Sequence, residues 1–590
     1  MTWGEHRVLN TKKAELLFGL LLWCASPIGT AQDVADNIAP ELTSKVSAKK
    51  SVEASEFMVS AAHPLAVKAG YRVLKQGGSA ADALVAVQTV LGLVEPQSSG
   101  LGGGAFLVYY HAPTNSLTTF DGRETAPLAV RPELFLDKKG KPLSFYDAVV
   151  GGRSVGTPGT VKLLATFHQR YGNQSWSSLF DPAIELAIHG FPVSERLASS
   201  ILRDKQHLAR YPETKAYFFE GEKPLNEAKI LHNPDYAETL NLLATKGEKA
   251  FYHGKIARDI VTKVSSVTDN PGYLALEDFA TYKVIERKPI CANYRGYDVC
   301  GMGPPSSGAI TLGQILGMVS HFDLQKLGAN NPIAWQIIGD ASRLAFADRG
   351  RYIADTDFVP MPKGLLDASY LEKRAQLITQ GTALAHVSPG EPRWDDPIAY
   401  ADDQSIELPS TTHIVIVDKQ GSIVSMTSTI ENGFGSRVMS NGFLLNNELT
   451  DFSFATHKNG YPIANHVEPG KRPRSSMTPT IVLKNGQPYM AIGSPGGSRI
   501  IGYVAQTLIA HFEWGMSIQE AIDMPRMLNR FGTYDIEQNT SAVKFKRPLE
   551  KMGYTVELKN LNSGLQGVVF SNDKLIGGAD PRREGISAGD

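Results

Sequence analysis

From residue 410 onward the chain breaks into short β-rich runs joined by turns, and some of those runs are apolar without interruption. They are His413-Ile-Val-Ile-Val417, residues 423–430, 442–445, 479–483 and 489–492. A strand with one wet face alternates apolar and polar residues, whereas a continuous apolar run such as 414–417 needs cover on both faces. That requirement excludes an open antiparallel sheet with a solvated side. It predicts a layered α/β architecture in which other elements pack above and below the strands.

The N-terminal part supplies helices for such layers. Residues 63–75 carry apolar side chains at helical spacing and stop at Gly77-Gly78. Ser79 then predicts an N-cap, with Asp82 at the capping-box position and a helix running to about residue 94, before Pro96. Gly100-Leu-Gly-Gly-Gly104 feeds a strand at 106–110, with 117–120 as its partner. Residues 159–250 read mostly as helix, and a helix over about 498–512 follows the last β run. No internal repeat and no low-complexity tract is present. Fifty-nine basic against sixty acidic side chains give a net charge of −1, so no global positive field draws the chain to nucleic acid or anionic lipid.

The first residues point to export. His6, Arg7, Lys12 and Lys13 precede an apolar run at 16–25, and Gly29-Thr30-Ala31 offers small residues for cleavage after Ala31. A membrane anchor or a buried helix is the alternative, but a run of roughly ten apolar residues is short of the ~20 that a bilayer needs. Residues 1–31 are therefore expected to be a signal peptide, 32–52 a loose leader, and the protein periplasmic or secreted, with no later membrane span. Trp23 before Cys24 disfavours lipoprotein processing. Three cysteines are too few for a disulfide scaffold, and no Cys-x-x-Cys pair suggests zinc. In the stretch 289–300, Arg295-Gly296 reads as a two-residue hairpin turn. Pairing Tyr294 with Tyr297 then sets Cys291 opposite Cys300 at a non-hydrogen-bonded position, where Cα atoms lie about 4.5 Å apart, within disulfide range. Two buried thiols are the alternative; an oxidising compartment favours the bridge.

Chemistry could reside in a few clusters. Ser410-Thr411-Thr412-His413 opens a strand, and Asp418-Lys-Gln-Gly421 is a turn that folds it back. Paired indices then sum to about 839–841, which sets residue 428, 429 or 430 opposite Thr411, and position 429 is a threonine. Two hydroxyls at a hairpin mouth could be catalytic, or simply packing on a sheet face. Gly493-Ser-Pro-Gly496-Gly497-Ser498 lies between a strand and a helix, where backbone N–H groups can hold an anion or a developing oxyanion. A tight turn is the plain reading; a nucleotide loop would need the Gly-Lys-Ser/Thr ending that is absent. Lys471-Arg-Pro-Arg-Ser475-Ser476 and Asn446-Asn-Glu448-Leu-Thr-Asp451 are solvated turns or, beside Arg123, a match for a zwitterion.

Taken together, these segments resemble the γ-glutamyltransferase (γ-glutamyltranspeptidase, glutathione hydrolase) family of N-terminal-nucleophile hydrolases. The resemblance covers nearly everything after residue 56. It is carried by Gly77-Gly-Ser-Ala-Ala-Asp82, Leu101-Gly-Gly-Gly104, Asp121-Gly-Arg-Glu-Thr-Ala-Pro127, Gly156-Thr-Pro-Gly159 and Pro304-Pro-Ser-Ser-Gly308. Thr411-Thr-His413, Leu444-Leu-Asn-Asn447, Lys471-Arg-Pro473 with Ser475-Ser-Met477, Ser494-Pro-Gly-Gly-Ser498 and Asp580-Pro-Arg582 complete the set.

The resemblance implies a four-layer αββα sandwich built from two autocleaved fragments, 32–410 and 411–590. It implies a cut between Ser410 and Thr411, Thr411 as nucleophile, Thr429 as its hydrogen-bond partner, and an oxyanion hole from Gly496 and Gly497. Arg123, Ser475 and Ser476 would hold the α-carboxylate of a γ-glutamyl group, and Glu431, Glu448 and Asp451 its α-ammonium. Residues 453–470 occupy the place of a lid. The activity implied is transfer of a γ-glutamyl group from glutathione and related amides to water or to an amino-acid or peptide amine, with no cofactor and no metal. A glutaryl/cephalosporin acylase of the same fold, which has less use for the acidic cluster, and a non-catalytic secreted glutamate-binding relative are the alternatives.

Overall fold

The structure, a computed structural model, describes residues 46–403, 405 and 410–590. The expected signal peptide at 1–31 lies outside the described residues. Two seven-stranded antiparallel sheets form the centre. One runs, in spatial order, Ile586–Gly589, Met58–Ala61, Thr411–Val417, Ile423–Thr429, Gly104–His111, Ser116–Gly122 and Ile285–Arg287. The other runs Val52–Ala54, Lys574–Ala579, Gln566–Ser571, Gln487–Gly493, Thr480–Lys484, Tyr297–Gly301 and Ile290–Tyr294.

The apolar run at 414–417 occupies an inner strand, and its side chains divide as the two-face argument requires. Val415 and Val417 join Val108, Ile481, Ala491 and Val568 in a core between the sheets. Ile414 and Ile416 point the other way, into a core shared with helices Pro64–Lys75 and Ala80–Val94. Across the second sheet, Val482, Met490 and Ile492 pack on helices Gly308–Val319, Pro332–Tyr352 and Ile500–Trp514. The molecule is thus a four-layer αββα sandwich. Each Val or Ile side chain so enclosed contributes about 1.5–3 kcal/mol, which commits the hairpin 411–429 to the middle of the fold.

Local signals act as their chemistry suggests. Ser79 and Asp82 form the reciprocal capping box of the helix Ala80–Val94, and His63 caps Pro64–Lys75 by accepting from the Leu65 N–H. Arg295 (φ 53°) and Gly296 (φ 82°) both occupy the left-handed region that a two-residue hairpin turn demands. Tyr294 pairs with Tyr297 and Cys291 with Cys300, and the two cysteines form a disulfide.

Two expectations shift. The loose leader ends earlier than residue 52, because Val52–Ala54 is an edge strand paired with Lys574–Ala579. The run 442–445 narrows to Phe443–Leu444 paired with Met439–Ser440, since Asn441 and Gly442 turn the chain at positive φ. No described helix is long and apolar enough to cross a membrane.

Candidate active site

Thr411 begins its strand directly opposite Thr429, the middle value of the range that turn arithmetic allowed. The Thr411 hydroxyl donates to Thr429 Oγ1 at 3.4 Å. Thr429 Oγ1 also accepts from the Glu431 N–H at 2.9 Å, and its own proton goes to the Ser410 carbonyl oxygen at 2.8 Å. Ser410 in turn donates its hydroxyl to the Gln97 carbonyl at 2.5 Å. The peptide between Ser410 and Thr411 is therefore held from both ends, with a hydroxyl donor aimed at its carbonyl oxygen. Glu431 reaches this arrangement at φ 74°, a costly backbone for a residue with a Cβ and a mark of sites where geometry outranks stability.

A small cavity of about 20 Å³, room for one water, opens at this hairpin mouth. It is lined by Thr411, Thr429, Gly497, Arg123, Glu431, Glu448, Asp451, Ser475 and Ser476, with Met477 and Ile500 as apolar wall. Gly496 is the one residue of the expected pocket that does not line it. Gly496 and Gly497 have φ of 138° and 56°, and a Cβ on Gly496 would come within 2.7 Å of the Tyr503 ring. Glycine is thus required for the turn that leads through Gly497–Arg499 into the helix Ile500–Trp514.

The cavity is small because its charges face one another. The buried Arg123 guanidinium donates to Glu448 through Nη1 and to Asp451 through Nη2 at 2.5 Å. Its Nε and Nη2 also reach the carbonyls of Pro473 and Arg474, at 3.2 and 2.9 Å. Burial opposes the Arg123 charge, but the carboxylates around it raise its pKa despite that. A ligand carrying both a carboxylate and an ammonium could exchange with this internal pair charge for charge. Asn447 donates one amide proton to Glu431 and accepts from the Asn432 N–H at 2.9 Å.

Sequence reasoning missed two neighbours. Glu124, next in the chain to Arg123, is fully buried, and burial together with the Glu448 charge holds its carboxyl well above the usual range. Arg349, from the long helix Pro332–Tyr352, donates to Ser476 Oγ at 2.7 Å and to Ser307 Oγ at 2.8 Å. Adjacency could have flagged the first; no local signal could have flagged the second.

Among the described residues, no imidazole lines the cavity. His413, two residues along the strand, is buried with its pKa pushed down to about 3 by burial, and its Nδ1 is paired with Thr427 Oγ1 at 2.9 Å.

The family model described as gamma-glutamyltranspeptidase matches residues 66–590. The chain belongs to the γ-glutamyltranspeptidase family. It is 38% identical over 547 residues to the glutathione hydrolase proenzyme of Bacillus subtilis (strain 168), an alignment covering 90% of this chain and 91% of the relative. It is also 32% identical over 550 residues to the acylase ACY 1 proenzyme of Pseudomonas sp. (strain SE83), covering 92% and 94%. Among solved structures, the cephalosporin acylase from Bacillus halodurans superposes with a TM-score of 0.81 at 26% identity, over 93% of this chain and 99% of that one. The γ-glutamyltranspeptidase fold, the N-terminal-nucleophile sandwich, is therefore shared with acylases, and family membership alone does not choose between their substrates.

Proposed function

We propose that this chain is a self-processing γ-glutamyltransferase and glutathione hydrolase, exported by a signal at residues 1–31. One observation carries the reading: the paired hydroxyls of Thr411 and Thr429 open onto a cavity whose other wall sets one guanidinium against two carboxylates. Thr411 Oγ adds to the Ser410 carbonyl carbon, and the Thr429 hydroxyl stabilises the oxygen as it becomes negative. The C–N bond breaks as the proton released by the Thr411 hydroxyl passes to the nitrogen, leaving an ester on Thr411 and a free Thr411 amine. Water opens the ester, giving a Ser410 carboxylate and restoring the hydroxyl. The fragments 32–410 and 411–590 stay together because Thr411–Val417 pairs with Met58–Ala61 and Ile423–Thr429 with Gly104–His111. The relatives' naming as proenzymes supports such processing.

In the mature enzyme the Thr411 amine, with an ordinary pKa of about 7.7–8.0, takes the proton from its own hydroxyl. The oxygen attacks the γ-carbonyl while Gly496 and Gly497 N–H groups hold the oxyanion. Arg123, Ser475 and Ser476 take the α-carboxylate, and Glu431, Glu448 and Asp451 the α-ammonium. The leaving amine departs with a proton, and the acyl-enzyme passes its γ-glutamyl group to water or to an amino-acid or peptide amine. Thr429→Ala removes the donor to the Ser410 carbonyl. It is expected to slow the appearance of two fragments by about 10²-fold, the usual cost of one oxyanion donor, and to lower kcat as well, because Thr411 loses its hydroxyl partner. Densitometry of a maturation time course and steady-state rates check both halves.

The acylase relatives supply the competing reading. A glutaryl side chain has no α-ammonium, so the three carboxylates of Glu431, Glu448 and Asp451 would meet no positive charge on the ligand. We expect the γ-glutamyl anilide to exceed the glutaryl anilide in kcat/KM by about 10²-fold, the size of one or two lost charge-assisted contacts. A preference for glutaryl would overturn the assignment.

A further inference from the structure

We infer that Asp403 is a positioning residue that sets the spacing between Arg123 and Asp451 in the substrate cavity. The inference rests on the γ-glutamyl reading of that cavity. Asp403 and Arg474 are buried, their side chains 1% and 2% exposed. Asp403 Oδ2 accepts from Arg474 Nη2 at 2.7 Å, from Asn465 Nδ2 at 3.1 Å and from Ser405 Oγ at 2.8 Å, while Oδ1 accepts from the Ser405 N–H at 2.8 Å. One carboxylate thus gathers a guanidinium, an amide and a hydroxyl from three stretches of chain.

Both polar walls of the cavity hang from that knot. The Arg474 carbonyl accepts from Arg123 Nη2 at 2.9 Å, and the Asp451 carbonyl accepts from Asn465 Nδ2 at 2.8 Å. Asn465 and Arg474 are tied directly as well, through the Arg474 N–H and Asn465 Oδ1 at 2.9 Å. Asp403 itself is fixed by its N–H to the Gly350 carbonyl, and Ala401 by its N–H to the Pro462 carbonyl. Asp403 precedes the proposed cut while Asn465, Arg474 and Asp451 follow it, so the knot would also clasp the two fragments beside the site. A buried carboxylate facing a buried guanidinium is costly to neutralise on one side. The strain would pass to the next bonds out, those to Arg123 and Asp451. These hydrogen bonds lead to Arg123 and Asp451.

Asp403→Asn keeps the shape and removes the charge. Kinetics on the matured variant with a γ-glutamyl anilide are expected to give a KM about tenfold higher with kcat within about twofold, the signature of lost binding rather than lost chemistry. Asp403→Glu should recover most of the affinity. In an Arg474→Leu background Asp403→Asn should have a smaller effect than it has alone, because only the route through Asn465 to Asp451 is left. An unchanged KM, a fall in kcat at constant KM, or additive effects of the two substitutions would each overturn the inference. Should Asp403→Asn accumulate only as uncut or insoluble chain, Arg474→Leu, which removes the same ion pair from its other end, decides: a raised KM at constant kcat supports the role, an unchanged KM refutes it. Wild-type enzyme that ignores the γ-glutamyl anilide would instead sink the reading of the cavity, which keeps the two failures apart.

Discussion

Thr411→Ala is expected to run as one band on a denaturing gel where the wild type runs as two, and to lose at least about 10³-fold in turnover, as N-terminal nucleophile chemistry has no substitute for its hydroxyl. The size of the effect follows from a double dependence. The hydroxyl that would attack the substrate is also the one that would attack the Ser410 carbonyl, so alanine removes the reaction and the step that prepares for it. An uncut chain carries an amide nitrogen at residue 411, which cannot accept a proton, and among the described residues no imidazole lines the cavity to replace it. Thr411→Ser separates the steps, since it keeps the oxygen and should still divide, though more slowly without the methyl that fixes the rotamer. Sequencing of the lighter wild-type fragment should begin Thr411-Thr412-His413. A single active band, or a different first residue, would remove the mechanism.

What the sequence reveals about this fold depends on the reach of the signal. Turn position narrows the partner of Thr411 to residues 428–430, of which the structure selects Thr429, and sets Cys291 opposite Cys300, because strand pairing is integer arithmetic once a turn is placed. The burial of 414–417 on both faces was readable from composition at consecutive positions. Val52–Ala54 escaped because three residues are too few to display a period. The self-pairing of Arg123 with Glu448 and Asp451 escaped for another reason: the partners stand more than 300 positions apart, and only the assembled sheets bring their turns together. Arg349 beneath Ser476, and Asp403 beneath Arg474, belong to the same class of contact. Resemblance named the residues proposed to meet a ligand; it did not name those that hold them.

Arg123→Gln tests the other half of the site and should split processing from catalysis. Arg123 makes no bond to Ser410, Thr411 or Thr429, so division into two fragments is expected to proceed at close to the wild-type rate. Its loss should nonetheless raise KM for a γ-glutamyl anilide by at least about 10²-fold, because a carboxylate would then enter a pocket of carboxylates with no cation to meet it. Stability should fall as well, by about 3–5 kcal/mol, since Glu448 and Asp451 would remain buried after losing a shared partner. Arg123→Lys discriminates binding from bracing. A lysine keeps the charge, and with it much of the stability, but cannot present the planar fork that reaches a carboxylate and two backbone carbonyls at once. We therefore expect Arg123→Lys to resemble the wild type in thermal unfolding and the glutamine variant in KM. If KM instead tracked stability through both substitutions, Arg123 would be a strut for the acidic turn at 448–451 rather than the group that meets the ligand, and the zwitterion reading of the cavity would fall with it.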